Sequence, residues 1–118
     1  MTKKHFLLFV LILLGSSYNL AAQTQLEMNK AADAEYKKAD AELNKVYRQL
    51  VEMLDKNGKQ MLIIAEKDWL KFRDSHCRFN ASQFDGGSIE PLIYSTCLEE
   101  LTRRRIDEIK ASIKSRDL

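Results

Sequence analysis

The residues best equipped for chemistry in this 118-residue chain crowd into one stretch, Trp69 to Cys97. It holds both cysteines, Cys77 and Cys97, the only Trp, the only Pro (Pro91) and the only Gly-Gly pair, with His76 beside the first cysteine. A thiol and an imidazole together suggest nucleophilic catalysis, which needs a free thiolate and a base within reach. Neighbours on a helix point about 100° apart, so His76 and Cys77 are poorly placed as such a pair. One His and two Cys also fall short of the roughly four ligands of a structural zinc site. Gly86-Gly87 marks a turn, not a phosphate cradle. No spacing among the 17 acidic residues singles out a carboxylate pair. The chain therefore reads as a non-enzyme, with no catalytic residues, no metal site and no cofactor.

What the cysteines do follows from where the chain goes. Lys3 and Lys4, the apolar run Phe6 to Leu14, then Gly15-Ser16-Ser17 and Leu20-Ala21-Ala22 form a secretory signal pattern over residues 1–22. The apolar run is too short to span a bilayer. Membrane contact is expected only through an uncleaved leader, and no cysteine follows it to carry a lipid. The remainder, residues 23–118, suits one small domain in the periplasm or secreted beyond it. Two cysteines in an oxidising compartment imply a Cys77–Cys97 disulfide. Closing a loop of about 20 residues contributes on the order of 3 kcal/mol.

Cleavage also changes the charge. The full chain has 19 basic and 17 acidic residues, a net of +2. Lys3 and Lys4 leave with the leader and no acid does, so the processed chain is formally neutral. Nucleic-acid binding through bulk positive charge is excluded on that basis.

Helical spacing supplies the elements that position these residues. Thr24-Gln-Leu-Glu27 is a capping-box pattern. Ala32, Tyr36, Ala39, Leu43, Val46, Leu50 and Leu54 then recur in steps of three and four, predicting a first helix of about 30 residues, roughly 45 Å. Asn57-Gly58 is the expected stop. A second helix is expected from near Lys59, with Leu62, Ala65, Trp69, Phe72 and His76 on its apolar face and Phe79 continuing it. Asp85-Gly86-Gly87 turns the chain, Ser88 is placed to cap a third helix, and Pro91 is tolerated in its first turn. Ile89, Ile93, Cys97, Leu101, Ile109 and Ile113 line that helix, and Glu99–Arg103 and Glu100–Arg104 are i,i+4 pairs. The fold class is all-α: a three-helix domain with one long N-terminal helix on a disulfide-stapled α-hairpin. Cys97 lies about 13 Å along the third helix from Ser88, so the second must run to about Ser82 for the cysteines to meet. On this reading His76, Trp69 and Phe72 belong to the core or its boundary. Arg73 and Asp74 are either surface charges or a buried pair beneath the hairpin, the latter favoured by the reach of a guanidinium.

Charge is unevenly placed. From Gln25 to Glu42 five acids, Glu27, Asp33, Glu35, Asp40 and Glu42, face three bases; from Leu101 to Leu118 six bases face three acids. Helix-dipole matching accounts for this. The sharper reading makes Asp33, Glu35, Asp40 and Glu42 a contact surface for a basic protein partner.

The pattern Trp69-x-x-Phe72-Arg73-Asp74-x-x-Cys77, then Gly86-Gly87-Ser88-x-x-Pro91, then Cys97-x-x-x-Leu101-Thr102-x-x-Arg105 resembles the LprI-like lysozyme-inhibitor family. Thr24-Gln25-x-Glu27-Met28-Asn29 and Tyr36-Lys37-Lys38-Ala39-Asp40-x-Glu42-Leu43-Asn44 are similar to that family's first helix. The resemblance implies a small exported helical protein that binds and inhibits a lysozyme or related muramidase. The alternative is a periplasmic envelope interaction or scaffold protein with no lysozyme role. The matching residues are those that pack, turn and staple a hairpin, so they are expected to be structural. The chain departs from the pattern in lacking a lipoprotein cysteine and in carrying Ala31 where many members have Cys.

Overall fold

The computed structural model describes the backbone of residues 3–117 and the side chains of residues 20–117. It comprises α1 (Lys3–Glu52), α2 (Lys56–Ala81), a 3₁₀ turn (Ser82–Phe84) and α3 (Glu90–Arg116), with no strand among the described residues. The side chains of the expected leader lie outside the described residues as far as Asn19. Among the described residues no helix is long and apolar enough to cross a membrane.

The first helix follows its sequence pattern closely. Ala39, Leu43, Val46 and Leu50 are buried. Leu43, Val46 and Leu50 meet Ile106 and Ile109 of α3 in the central cluster, against which Tyr47, Leu54, Leu62, Trp69 and Ile113 pack. Both expected boundaries move. Thr24 does not cap: α1 runs through it, and its hydroxyl donates to the Leu20 carbonyl at 3.0 Å. With helix upstream, the amides that a cap would serve already have partners. Asn57-Gly58 does not end α1 either. The chain tightens at Met53 and Leu54, whose amides reach the Leu50 and Val51 carbonyls, and Asp55 then caps α2. The Gly58 amide donates to Asp55 Oδ1 at 2.7 Å. Gly58 thus sits in the first turn of α2, where an added Cβ would lie 3.1 Å from that same carboxylate oxygen.

The second helix ends where the disulfide geometry requires, with Ser82 as its C-cap. Gly86 adopts φ +75°, and the Gly87 amide closes the turn on the Phe84 carbonyl at 2.8 Å. Ser88 makes no cap; Ile89 is the N-cap residue and has no side-chain bond. The reason is local. The amides that Ser88 could serve belong to Glu90, which already donates to the Gly87 carbonyl, and to Pro91, which has none. Pro91 lies in the first turn, as its sequence position implies.

The disulfide joins Cys77 to Cys97 with the Cα atoms 5.5 Å apart. α3 packs closely against both α1 and α2, making it the shared wall of the domain. The buried faces of α2 and α3 differ from the apolar lines read in the sequence. On α2 the buried residues are Glu66, Arg73, Cys77 and Ala81, whereas Ala65, Phe72, His76 and Phe79 are exposed. On α3 the buried line is Ser95, Leu98, Thr102, Ile106 and Ile109; Ile89, Ile93, Cys97, Leu101 and Ile113 flank it half-buried. Cys77 must face α3 to be bridged, and that fixes α2 about its own axis, turning His76 out by about 100°.

Replacing Cys77 with Ser should lower stability by about 3 kcal/mol, a drop of roughly 10–20 °C in Tm. Thermal unfolding followed by circular dichroism, with and without reductant, measures this; equal Tm values for variant and parent would refute it.

Candidate functional site

The interior of the three-helix junction is ionic and aromatic. Arg73, its side chain 6% exposed, donates to Asp74 Oδ1 at 2.9 Å and to Asp40 Oδ1 and Thr102 Oγ1, both at 3.3 Å. Its guanidinium lies 5.4 Å from the ring centres of both Tyr36 and Trp69. Arg105 approaches the Trp69 ring at 5.6 Å and donates twice to Glu66 Oε2, at 3.1 and 2.9 Å, and to Glu108 at 2.9 Å. Trp69 is therefore in cation–π contact with two guanidiniums, each held by carboxylates. Burial works against the charge on Arg73, but the Asp74 hydrogen bond, with Tyr36 and Asp40, outweighs it and leaves the pKa above its ordinary value. Arg105 behaves likewise, with Glu108 and Glu66 overcoming burial. Burial also raises the Tyr36 phenol.

This junction gathers many of the residues quoted from the sequence pattern. Trp69, Arg73, Asp74, Thr102 and Arg105 meet in it; Gly86, Gly87, Ser88 and Pro91 shape the turn, and Leu101 lies half-buried on α3. Phe72 stands apart, exposed and stacked on His76 at 5.4 Å.

The four acids singled out on α1 do not form one free patch. Asp33 pairs with Lys37 at 2.6 Å, Glu35 with Lys38 at 2.6 Å and Arg103 at 3.7 Å, and Glu42 with Lys110 at 2.8 Å, while Asp40 serves Arg73. Their side chains still remain 39–46% exposed. The Lys38 and Lys110 partners, by hydrogen bond and charge, hold the Glu35 and Glu42 carboxyls below their ordinary value.

Two further surfaces were hidden from sequence reasoning. An open groove of about 610 Å³ runs along the disulfide between α2 and α3, lined by His76, Asn80, Ile93, Cys97, Glu100 and Arg104 among others. The outer face of α2 beside it carries exposed Met61, Ile64, Phe72 and Phe79. Phe72 and Phe79 read in the sequence as part of the inward apolar line of α2, and the helical spacing of Met61 and Ile64 with them is the signal that could have shown an outer face. Among the described residues no group of three or more His, Cys, Asp or Glu side chains could hold a metal ion.

These features define a class: a small all-α scaffold, closed by one disulfide and an ionic–aromatic junction, that offers surfaces to a partner. A family model described as "Lysozyme inhibitor LprI" matches residues 17–109, and the chain belongs to that family. It is 36% identical over 107 residues to the uncharacterized protein R02472 of Rhizobium meliloti (strain 1021), covering 80% of this chain and 77% of that protein. No solved structure matches.

Arg73→Ala should cost about 2–4 kcal/mol, because it leaves Asp40, Asp74 and Thr102 without their shared donor. The urea midpoint tests this, and a change under about 0.5 kcal/mol would remove the junction's structural role. The lowered carboxyl pKa values of Glu35 and Glu42 set an acid limb. Their stabilisation is complete above the unfolded carboxylate range and lost as pH falls through the folded values. Glu42→Gln should therefore lower the urea midpoint at neutral pH but not at a pH well below that range.

Proposed function

We propose that this protein is exported by the leader over residues 1–22 and acts as a single domain, residues 23–118, in the periplasm or outside the cell. There it binds a lysozyme or related muramidase and inhibits it. The observation that carries this reading is the family match over residues 17–109, which leaves out only the start of α1 and the last turns of α3. The leader pattern and the disulfide support it, since both suit an oxidising compartment.

The contact we assign is the acidic side of α1. Asp33, Glu35 and Glu42 keep much of their carboxylate surface open, with Asp40 behind them on Arg73. Their present partners Lys37, Lys38 and Lys110 are well exposed, so each pair is weak and readily exchanged for a cation on another protein. A cationic muramidase would be steered to this side at low salt and less so at high salt. The enzyme needs no chemistry from its inhibitor, only occlusion.

Purified processed protein should slow lysis of cell walls at stoichiometric amounts in assays run against several muramidase classes. Failure to slow any of them would overturn the reading. Charge reversal by Glu35→Lys with Glu42→Lys should weaken inhibition at least about tenfold at low salt and flatten its salt dependence. Unchanged inhibition would move the contact elsewhere while leaving the function intact.

A further inference from the structure

The outer face of α2 has the composition of an interior. Met61, Ile64, Phe72 and Phe79 are 64%, 53%, 52% and 72% exposed. At about 100° per residue they fall in one stripe roughly 27 Å long, on the far side of the helix from Cys77. An exposed apolar stripe of this kind marks an interface. Asp68 falls within it and Lys71 on its edge, and neither has an ion-pair partner among the described residues. The acids singled out on α1, by contrast, all have partners within the chain.

We propose that this face is where two copies of the chain associate, α2 against α2, antiparallel about a two-fold axis passing between residues 69 and 70. The register comes from the charges. In an antiparallel pairing Asp68 of each copy stands level with Lys71 of the other, on the same side of the stripe, so a couple left unpaired within one chain becomes two ion pairs. A parallel pairing would set Asp68 against Asp68 and Lys71 against Lys71. The same antiparallel register brings Ile64 level with Ser75, Phe79 within one residue of Met61, and Phe72 within two residues of the small side chain of Ala65. Such self-complementarity is what an isologous two-fold interface requires.

The contact assigned to a muramidase lies on another helix. The acidic side of α1 pairs with Arg103 and Lys110 of α3, leaving it clear of the α2 face. The two surfaces can be occupied together. A single helix–helix stripe is small beside the roughly 800 Å² per partner of a standard interface, so the dimer is reversible and concentration-dependent.

Sedimentation velocity on the processed protein recovered after export, from about 1 µM to about 1 mM, reads the equilibrium directly. A shift from monomer to dimer is expected across that range. Phe72→Asp with Phe79→Asp should hold the protein monomeric with an unchanged helical spectrum and unchanged inhibition of lysis. Lys71→Asp should weaken dimerisation at least about tenfold. Adding Asp68→Lys to it should restore the dimer, because the swapped charges still pair. A parent protein that stays monomeric throughout overturns the proposal, as does a dimer indifferent to Phe72→Asp with Phe79→Asp or a charge swap that fails to rescue. A monomeric parent whose inhibition is lost in the double Phe variant would assign the face to the muramidase instead.

Discussion

The bond between Cys77 and Cys97 sets the rotation of α2, and much of the molecule follows from that angle. A helix with apolar residues on two faces has no unique way to settle on a neighbour. Met61, Ile64, Phe72 and Phe79 alone would make a serviceable core face. Bridging Cys77 to α3 forbids it, because the side chains level with that cysteine are then Glu66, Arg73 and Ala81. Charged residues enter the interior as a result, and each needs partners drawn from the other helices. Arg73 takes Asp40 from α1 and Thr102 from α3; Glu66 takes Arg105 from α3. Trp69, lying against both guanidiniums, fills the space between the pairs. The staple and the ionic junction are one arrangement.

This explains which parts of the fold were legible in the sequence. α1 was, because its buried line from Ala39 to Leu50 is apolar throughout and spacing alone identifies it. The disulfide and the extent of α2 were, because the two cysteines and the rise of a helix leave little choice. The buried faces of α2 and α3 were not. Glu66, Arg73, Ser95 and Thr102 read as surface residues until their partners are placed, whereas Phe72 and Phe79 read as core. Periodicity finds an apolar stripe but not which of two stripes turns inward. The helix boundaries failed for a related reason. A cap is a competition among nearby donors and acceptors, and Asp55 holds the Gly58 amide while the Gly87 carbonyl takes the one Ser88 would have served.

The acidic residues show the same limit in electrostatic form. A count along the chain makes residues 25–42 acidic, and Asp33, Glu35, Asp40 and Glu42 were legible as carboxylates on one helix. It does not show that Arg73, Arg103 and Lys110 arrive opposite three of them from α2 and α3. What remains for a partner is a set of exposed, exchangeable pairs in place of bare charge. Such a surface favours recognition that is fast, reversible and sensitive to ionic strength.

The staple has a mechanical consequence as well. It ties α2 to α3 but leaves α1 joined to the rest covalently only through the short turn at Met53–Asp55. The molecule is thus a cross-linked clamp with a docked arm. Its free energy of opening is graded: the arm can lift from the clamp through loss of packing and surface ion pairs, while the clamp stays closed until its covalent tie is reduced. A partner that grips the arm therefore acts on the part held without a covalent tie, while the disulfide keeps α2 and α3 side by side.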